Sequence, residues 1–130
     1  MRPLKNPNPP KHFAHPVEAE FARLLDFYGI AWEYEAQTFP LEEDAQGNPL
    51  EAITPDFYLP VQDLYVELTT RRQSLITEKN RKIRRLRELY PEINLKLLNR
   101  RQMRSMLLKY GMAPETEGLI GAPNGSGDTD

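Results

Sequence analysis

Two short β-prone runs, Ile53–Leu59 and Leu64–Thr70, are separated only by Pro60-Val61-Gln62-Asp63. A spacer that short makes a hairpin the natural connection, and a hairpin fixes which residues face each other. With the turn centred between Val61 and Gln62, Phe57 opposes Val66 and Leu59 opposes Leu64 on one face. These pairs are apolar, so that face belongs to the core. On the other face Thr54 opposes Thr69, Asp56 opposes Glu67 and Tyr58 opposes Tyr65. Directly opposed side chains have Cβ atoms about 5 Å apart, and like charges there destabilise. This register therefore brings two carboxylates together at a cost that something must offset. A divalent cation is the obvious candidate, since Mg²⁺ commonly takes one or two carboxylates plus waters and phosphate oxygens. The other reading is that Asp56 and Glu67 are solvated edge residues in a register shifted by one. A lone Glu in an otherwise apolar or β-branched run, and Asp56 directly after Pro55, speak for the paired reading.

The remaining elements follow from periodicity and punctuation. His15-Pro16-Val17-Glu18 reads as a helix start, Val17, Phe21, Leu24, Leu25 and Tyr28 recur at helical spacing, and Gly29 closes the helix. Ala31–Phe39 alternates as a strand does, and Leu41–Leu50, acidic and containing Gly47-Asn48-Pro49, reads as a turn or loop. Ser74 or Thr77 caps a second helix that reaches Tyr90 and stops at Pro91. Ile93–Leu98 is a short apolar strand, and Asn99 caps a last helix through Tyr110 with Gly111 as its stop. The predicted order is α-β-β-β-α-β-α: an α/β (α+β) core with one mixed sheet flanked by helices. At 130 residues there is room for one domain. Residues 1–12, rich in Pro and Asn, are expected to be a flexible lead-in. Residues 112–130, dominated by Gly, Pro, Ser and Asp, are expected to be a disordered tail or linker stump around a folded part at 13–111.

Pro55-Asp56, ten intervening residues and then Glu67-Leu68-Thr69 resemble the signature of the PD-(D/E)XK nuclease superfamily, the restriction-endonuclease-like group. The predicted element order over about residues 14–110 is similar to that family's core, nearest to its resolvase-like or very-short-patch-repair-like members. The resemblance implies a small endonuclease domain that hydrolyses phosphodiester bonds with Mg²⁺ or Mn²⁺, held by Asp56, Glu67, the carbonyl of Leu68 and an acid of the first helix. Glu18 and Glu20 compete for that last role. Glu18 neighbours the apolar stripe of Val17, Phe21, Ala22 and Leu25, whereas Glu20 is rotated towards solvent, so Glu18 is the choice. One departure stands out: Thr69 occupies the place of the motif lysine, and threonine cannot supply a positive charge. Related nucleases include variants whose lysine has moved to the following helix. Lys79 lies one turn above Ile83 on the stripe of Ile83, Leu86, Leu89 and Tyr90, pointing inward. It either supplies the missing charge or snorkels past the apolar surface into solvent.

The formal net charge of -2 at first argues against a polyanion partner. That total hides a split, because residues 71–109 hold 13 Lys/Arg against 3 Asp/Glu and the rest of the chain holds 4 against 16. Arg71, Arg72, Lys82, Arg84, Arg85, Arg100 and Arg101 are the expected phosphate contacts, giving salt-dependent, sequence-independent affinity for double-stranded or branched DNA. No aromatic residues interleave with them, which argues against a single-strand stacking platform. Nucleases that cut both strands often dimerise, so a homodimer is compatible, although no exposed apolar stripe demands one. No membrane-length apolar run and no signal-peptide core occurs, and a cytoplasmic location is expected. With no cysteine, disulfides and cysteine–zinc sites are excluded, and no Gly-rich phosphate loop is present. Two other classes remain: a catalytically inactive nucleic-acid-binding module on the same fold, and a regulatory domain carrying a phosphoribosyltransferase label. The chain lacks the acidic pair and phosphate-cradling loop that such a transferase uses.

Overall fold

The computed structural model describes residues 1–8, 10–69 and 73–111. In chain order the elements are β1 (Leu4–Lys5), α1 (Pro16–Phe27), β2 (Glu33–Tyr34), β3 (Gln37–Glu43), β4 (Pro49–Ile53), β5 (Phe57–Leu59), β6 (Leu64–Leu68), α2 (Gln73–Leu89), β7 (Leu95–Leu98) and α3 (Arg100–Gly111). They form a mixed α+β fold with two sheets and three helices. A three-stranded antiparallel sheet has the order β1-β3-β4, and a four-stranded sheet has the order β2-β5-β6-β7. The single mixed sheet expected from the sequence is thus divided in two. Among the described residues no helix is long and apolar enough to cross a membrane.

The hairpin forms in the expected register. Phe57 faces Val66, Tyr58 faces Tyr65 and Leu59 faces Leu64. β6 is buried along its whole length because it is flanked by β5 and, in parallel, by β7, with helices over both of its faces. Leu64, Val66 and Leu68 join Phe57 and Leu59 in a core shared with Phe21 and Leu25 of α1 and Met103 and Leu107 of α3. Tyr65, on the opposite face, joins Phe39, Leu41 and Ile53 with Ile83 and Leu86 of α2. By alternation Asp56 and Glu67 share the α2 face.

Several boundaries differ from the expectation, each for a local reason. The strand expected at Ala31–Phe39 is broken at Glu35, whose φ of 48° ends the pairing of β2 and turns the chain into β3. The loop expected at Leu41–Leu50 is a second hairpin with a tight turn, where Asp44 accepts the Gln46 and Asn48 N–H groups at 2.9 and 2.8 Å and Gly47 takes a φ of 87°. The run Ile53–Leu59 divides between β4 and β5, and Thr54 bonds Thr38 across 2.8 Å rather than lying against Thr69. The expected lead-in is partly structured, because β1 adds to β3 and Asn6 Nδ2 donates to the Glu35 carbonyl at 2.9 Å. α2 begins at Gln73, so Ser74 and Thr77 lie inside it and are not its N-caps. Asn99 does cap α3: Gln102 N–H donates to Asn99 Oδ1 at 2.9 Å, and Asn99 N–H donates back to Gln102 Oε1 at 3.0 Å. The expected tail at 112–130 lies outside the described residues.

Candidate functional site

The strand ladder of the hairpin stops at Phe57 and Val66, and the next pair outward is Asp56 with Glu67. Both are buried, at 8% and 7% exposure. Two crossed hydrogen bonds tie them to the strands: Asp56 N–H donates to Glu67 Oε1 at 3.1 Å, and Leu68 N–H donates to Asp56 Oδ2 at 2.9 Å. Glu35 fixes the pair from behind, its N–H reaching the Asp56 carbonyl at 2.9 Å from the left-handed conformation. A non-glycine residue held there costs on the order of 1 kcal/mol, and such strain tends to be kept where it positions something.

The sequence left the Lys79 ammonium between two environments, and the structure turns it inward. Nζ lies 3.0 Å from Glu67 Oε2 and donates to the Leu68 carbonyl at 2.6 Å. Burial pushes the Asp56 carboxyl up to about 8, with the Glu67 charge adding to the effect and the Leu68 N–H, among others, opposing it. Burial likewise raises Glu67, against the pull of Lys79. An uncompensated pair of buried carboxylates is costly, and one ammonium offsets only part of that.

Asp56, Glu67 and the Leu68 carbonyl offer only oxygen atoms, which suits a small hard cation such as Mg²⁺ or Mn²⁺. Among the described residues no group of three or more His, Asp or Glu is placed to hold a metal ion. Glu18, the expected further ligand, is buried at 4% exposure but is already bonded, its Oε1 accepting the Tyr34 O–H at 2.6 Å and the Ala14 N–H at 3.1 Å. Tyr34 belongs to the core on the α1 side of the sheet, so Glu18 approaches from the other side, close enough for its charge to raise both Asp56 and Glu67. Tyr34 was missed as a site residue. Its alternation within a supposed strand marked it as core and carried no sign of its hydroxyl partner. Glu20 points outward as the helical wheel requires, and pairs with Arg100 at 2.9 Å and Arg104 at 3.8 Å.

Thr69 follows the site on β6's trailing end, where its N–H bonds the Leu98 carbonyl at 2.9 Å and its buried Oγ1 has no hydrogen-bond partner among the described residues. Of the expected phosphate contacts, Arg71 and Arg72 lie outside the described residues. Arg100 is engaged by Glu20, Arg85 by Glu88 at 3.3 Å, and Lys82 Nζ by the Ala52 carbonyl at 3.3 Å. Arg81 forms ion pairs with Glu51 and Glu78. Arg84 and Arg101 are exposed and have no ion-pair partner among the described residues. The free basic surface is therefore smaller than the charge count suggested. Comparisons with protein-family models, with curated proteins and with solved structures give no match for this chain.

Proposed function

We propose that this chain is a small divalent-metal-dependent nuclease domain of the PD-(D/E)XK type, with a restriction-endonuclease-like core and its motif lysine relocated to Lys79 on α2. One observation carries the reading: the Lys79 ammonium reaches Glu67 and the Leu68 carbonyl, beside Asp56, from a different element than the one that ordinarily supplies it. A charged side chain turned one helical turn above an apolar stripe, onto one carboxylate of a buried pair, is what relocation of that lysine requires.

Asp56, Glu67 and the Leu68 carbonyl would hold Mg²⁺ or Mn²⁺, with Glu18 nearby as a charge. A cation there polarises a phosphodiester and lowers the pKa of a bound water. Lys79 brings a positive charge to the same point, for the negative charge that develops on the phosphate. Of the arginines expected to contact phosphate, Arg84 and Arg101 are the described ones with no ion-pair partner among the described residues, and they would meet a nucleic-acid backbone. The test is cleavage of supercoiled plasmid and branched DNA with Mg²⁺ or Mn²⁺. The expected result is cleavage by the wild type and loss of at least about a hundredfold in Asp56→Ala and in Glu67→Ala. No cleavage of any DNA or RNA with either metal would sink the proposal.

A second reading has support of its own. Thr69 replaces the motif lysine, and among the described residues no third acid completes the pair as a metal-holding group. Both features suit an inactive nucleic-acid-binding or regulatory module on the same fold. Asp56→Ala separates the two. In a module that binds nucleic acid without metal, removing a buried carboxylate leaves binding unchanged or strengthens it. In a nuclease it weakens metal-dependent binding.

A further inference from the structure

We infer that Lys79 is an internal counter-cation that competes with the divalent metal for the same oxygen atoms, so that metal loading expels its ammonium from Glu67 and Leu68 towards the substrate side. The inference rests on the metal-site reading above and adds a coupling to it.

The geometry is specific. The Lys79 ammonium touches Glu67 Oε2 at 3.0 Å and the Leu68 carbonyl at 2.6 Å, and these are two of the three oxygen sources assigned to the cation. An ammonium and a divalent ion on the same oxygen atoms compete, because each oxygen has lone pairs for both but their like charges repel at such separations. Asp56 differs from its partner, since its Oδ2 is held by a backbone N–H and no hydrogen bond or ion pair joins it to Lys79 among the described residues. Glu67 and Leu68 are thus the contested atoms and Asp56 the uncontested one. Before metal binds, Lys79 partly neutralises a carboxylate pair that would otherwise be buried without a counter-charge. After metal binds, that need is gone. The lysine side chain, itself a quarter exposed, has solvent to move into.

The two roles predict opposite effects of one substitution. A lysine that only supports the site loses metal binding when removed. A competing lysine gains it. Manganese binding to the full chain, followed by the electron paramagnetic resonance of free Mn²⁺ at mildly alkaline pH, reads this directly and without cleavage. Lys79→Met keeps the aliphatic stem, and Lys79→Gln also keeps a donor for the Leu68 carbonyl. Both are expected to bind Mn²⁺ about tenfold or more tightly than the wild type, once the repulsion between ammonium and metal is removed. Equal or weaker binding in both variants would overturn the inference. If Lys79→Met fails to fold, Lys79→Gln and a second measurement decide. Acylation of Lys79 in the wild type, followed by mass spectrometry, should accelerate several-fold when saturating Mg²⁺ frees the amine. Metal binding that depends on Asp56 but leaves Lys79 acylation unchanged would refute the competition while keeping the metal site. No Mn²⁺ binding in the wild type or in either variant would remove both.

Discussion

At the scale of single residues, the Asp56–Glu67 pair governs how this chain responds to pH. The Asp56 carboxyl is raised above its ordinary value of 3.8 to about 8, chiefly by burial. A raised acid keeps its proton in the folded state while the unfolded chain has lost it. Stability is then greatest below the unfolded pKa and falls as pH rises towards the folded one. Without divalent cations the chain should lose roughly 2–4 kcal/mol of stability between about pH 4 and about pH 8 from this group, measured by urea unfolding at fixed ionic strength. Asp56→Asn keeps the acceptor for the Leu68 N–H and removes the titration, so its profile should be flatter and it should be the more stable protein at the alkaline end. A wild type no less stable at the alkaline end than at the acid end would show that Asp56 is not held neutral. The pairing itself was legible in the sequence. Phe57 with Val66 and Leu59 with Leu64 fix the register, and register then dictates which acid meets which. The inward Lys79 was half legible, because a helical stripe gives direction but cannot distinguish a lysine that finds a carboxylate from one that snorkels. The Tyr34–Glu18 bond was not legible, since the two residues are brought together only by packing α1 against the sheet.

At the scale of elements, the legible features were those written in local chemistry. Asn99 and Gln102 are three residues apart and satisfy each other's backbone N–H groups, so the start of α3 could be read from sequence. Asn99→Ala should cost about 1 kcal/mol, seen as a lower urea midpoint with an unchanged slope. The far end of α3 depends on something sequence does not show. A Cβ on Gly111 would stand 2.4 Å from Tyr28 Cβ, so the helix end lies against the end of α1 at a distance only glycine permits. Gly111 is the last residue of α3 among the described residues, where the sequence places the helix stop, and it is a contact as well. Gly111→Ala, elsewhere a helix-stabilising change, should destabilise by ~1–3 kcal/mol through overpacking. Gly111→Ala in a Tyr28→Gly background, which removes the opposing Cβ, should recover much of that loss, and a cycle showing no coupling would disprove the contact. The hairpin of β3 and β4 was misread as a loop for a different reason. Its strands carry Pro40, Pro49 and several glutamates, which are poor strand signals, and their pairing is shifted twice between Pro40 and Glu43. What holds it is one buried flank, Phe39 and Leu41 against α2, and a turn organised by Asp44. β1 was invisible because two residues carry no period, and their pairing depends wholly on β3 being present.

At the scale of the whole molecule, the net charge of -2 is a sum of opposed parts, and the fold brings those parts together. The sequence separates a basic segment from acidic flanks, whereas the structure returns Glu51 to Arg81 and Glu20 to Arg100 and Arg104. Acids distant in the chain are therefore the neutralising partners, which no local count of charges reveals. An exposed ion pair adds little stability, but it takes its arginine out of competition for phosphate. Arg84 and Arg101 remain unpaired among the described residues, and they set a quantitative expectation for nucleic-acid binding. Each phosphate contact contributes about 0.9 to the slope of log affinity against log salt for duplex DNA. Arg84→Ala and Arg101→Ala should each weaken binding to a labelled duplex and reduce that slope by about 1, whatever the DNA sequence. Arg81→Ala, which removes an arginine already engaged by two glutamates, should change the slope by much less than 1, because the freed Glu51 and Glu78 bring repulsion without having cost a phosphate contact. If all three substitutions lower the slope equally, the ion pairs give way to phosphate in the complex and the basic surface is as large as the bare sequence implies. If Arg84 and Arg101 leave it untouched, the nucleic acid lies elsewhere on the molecule, and the outward faces of α2 and α3 are not part of its track.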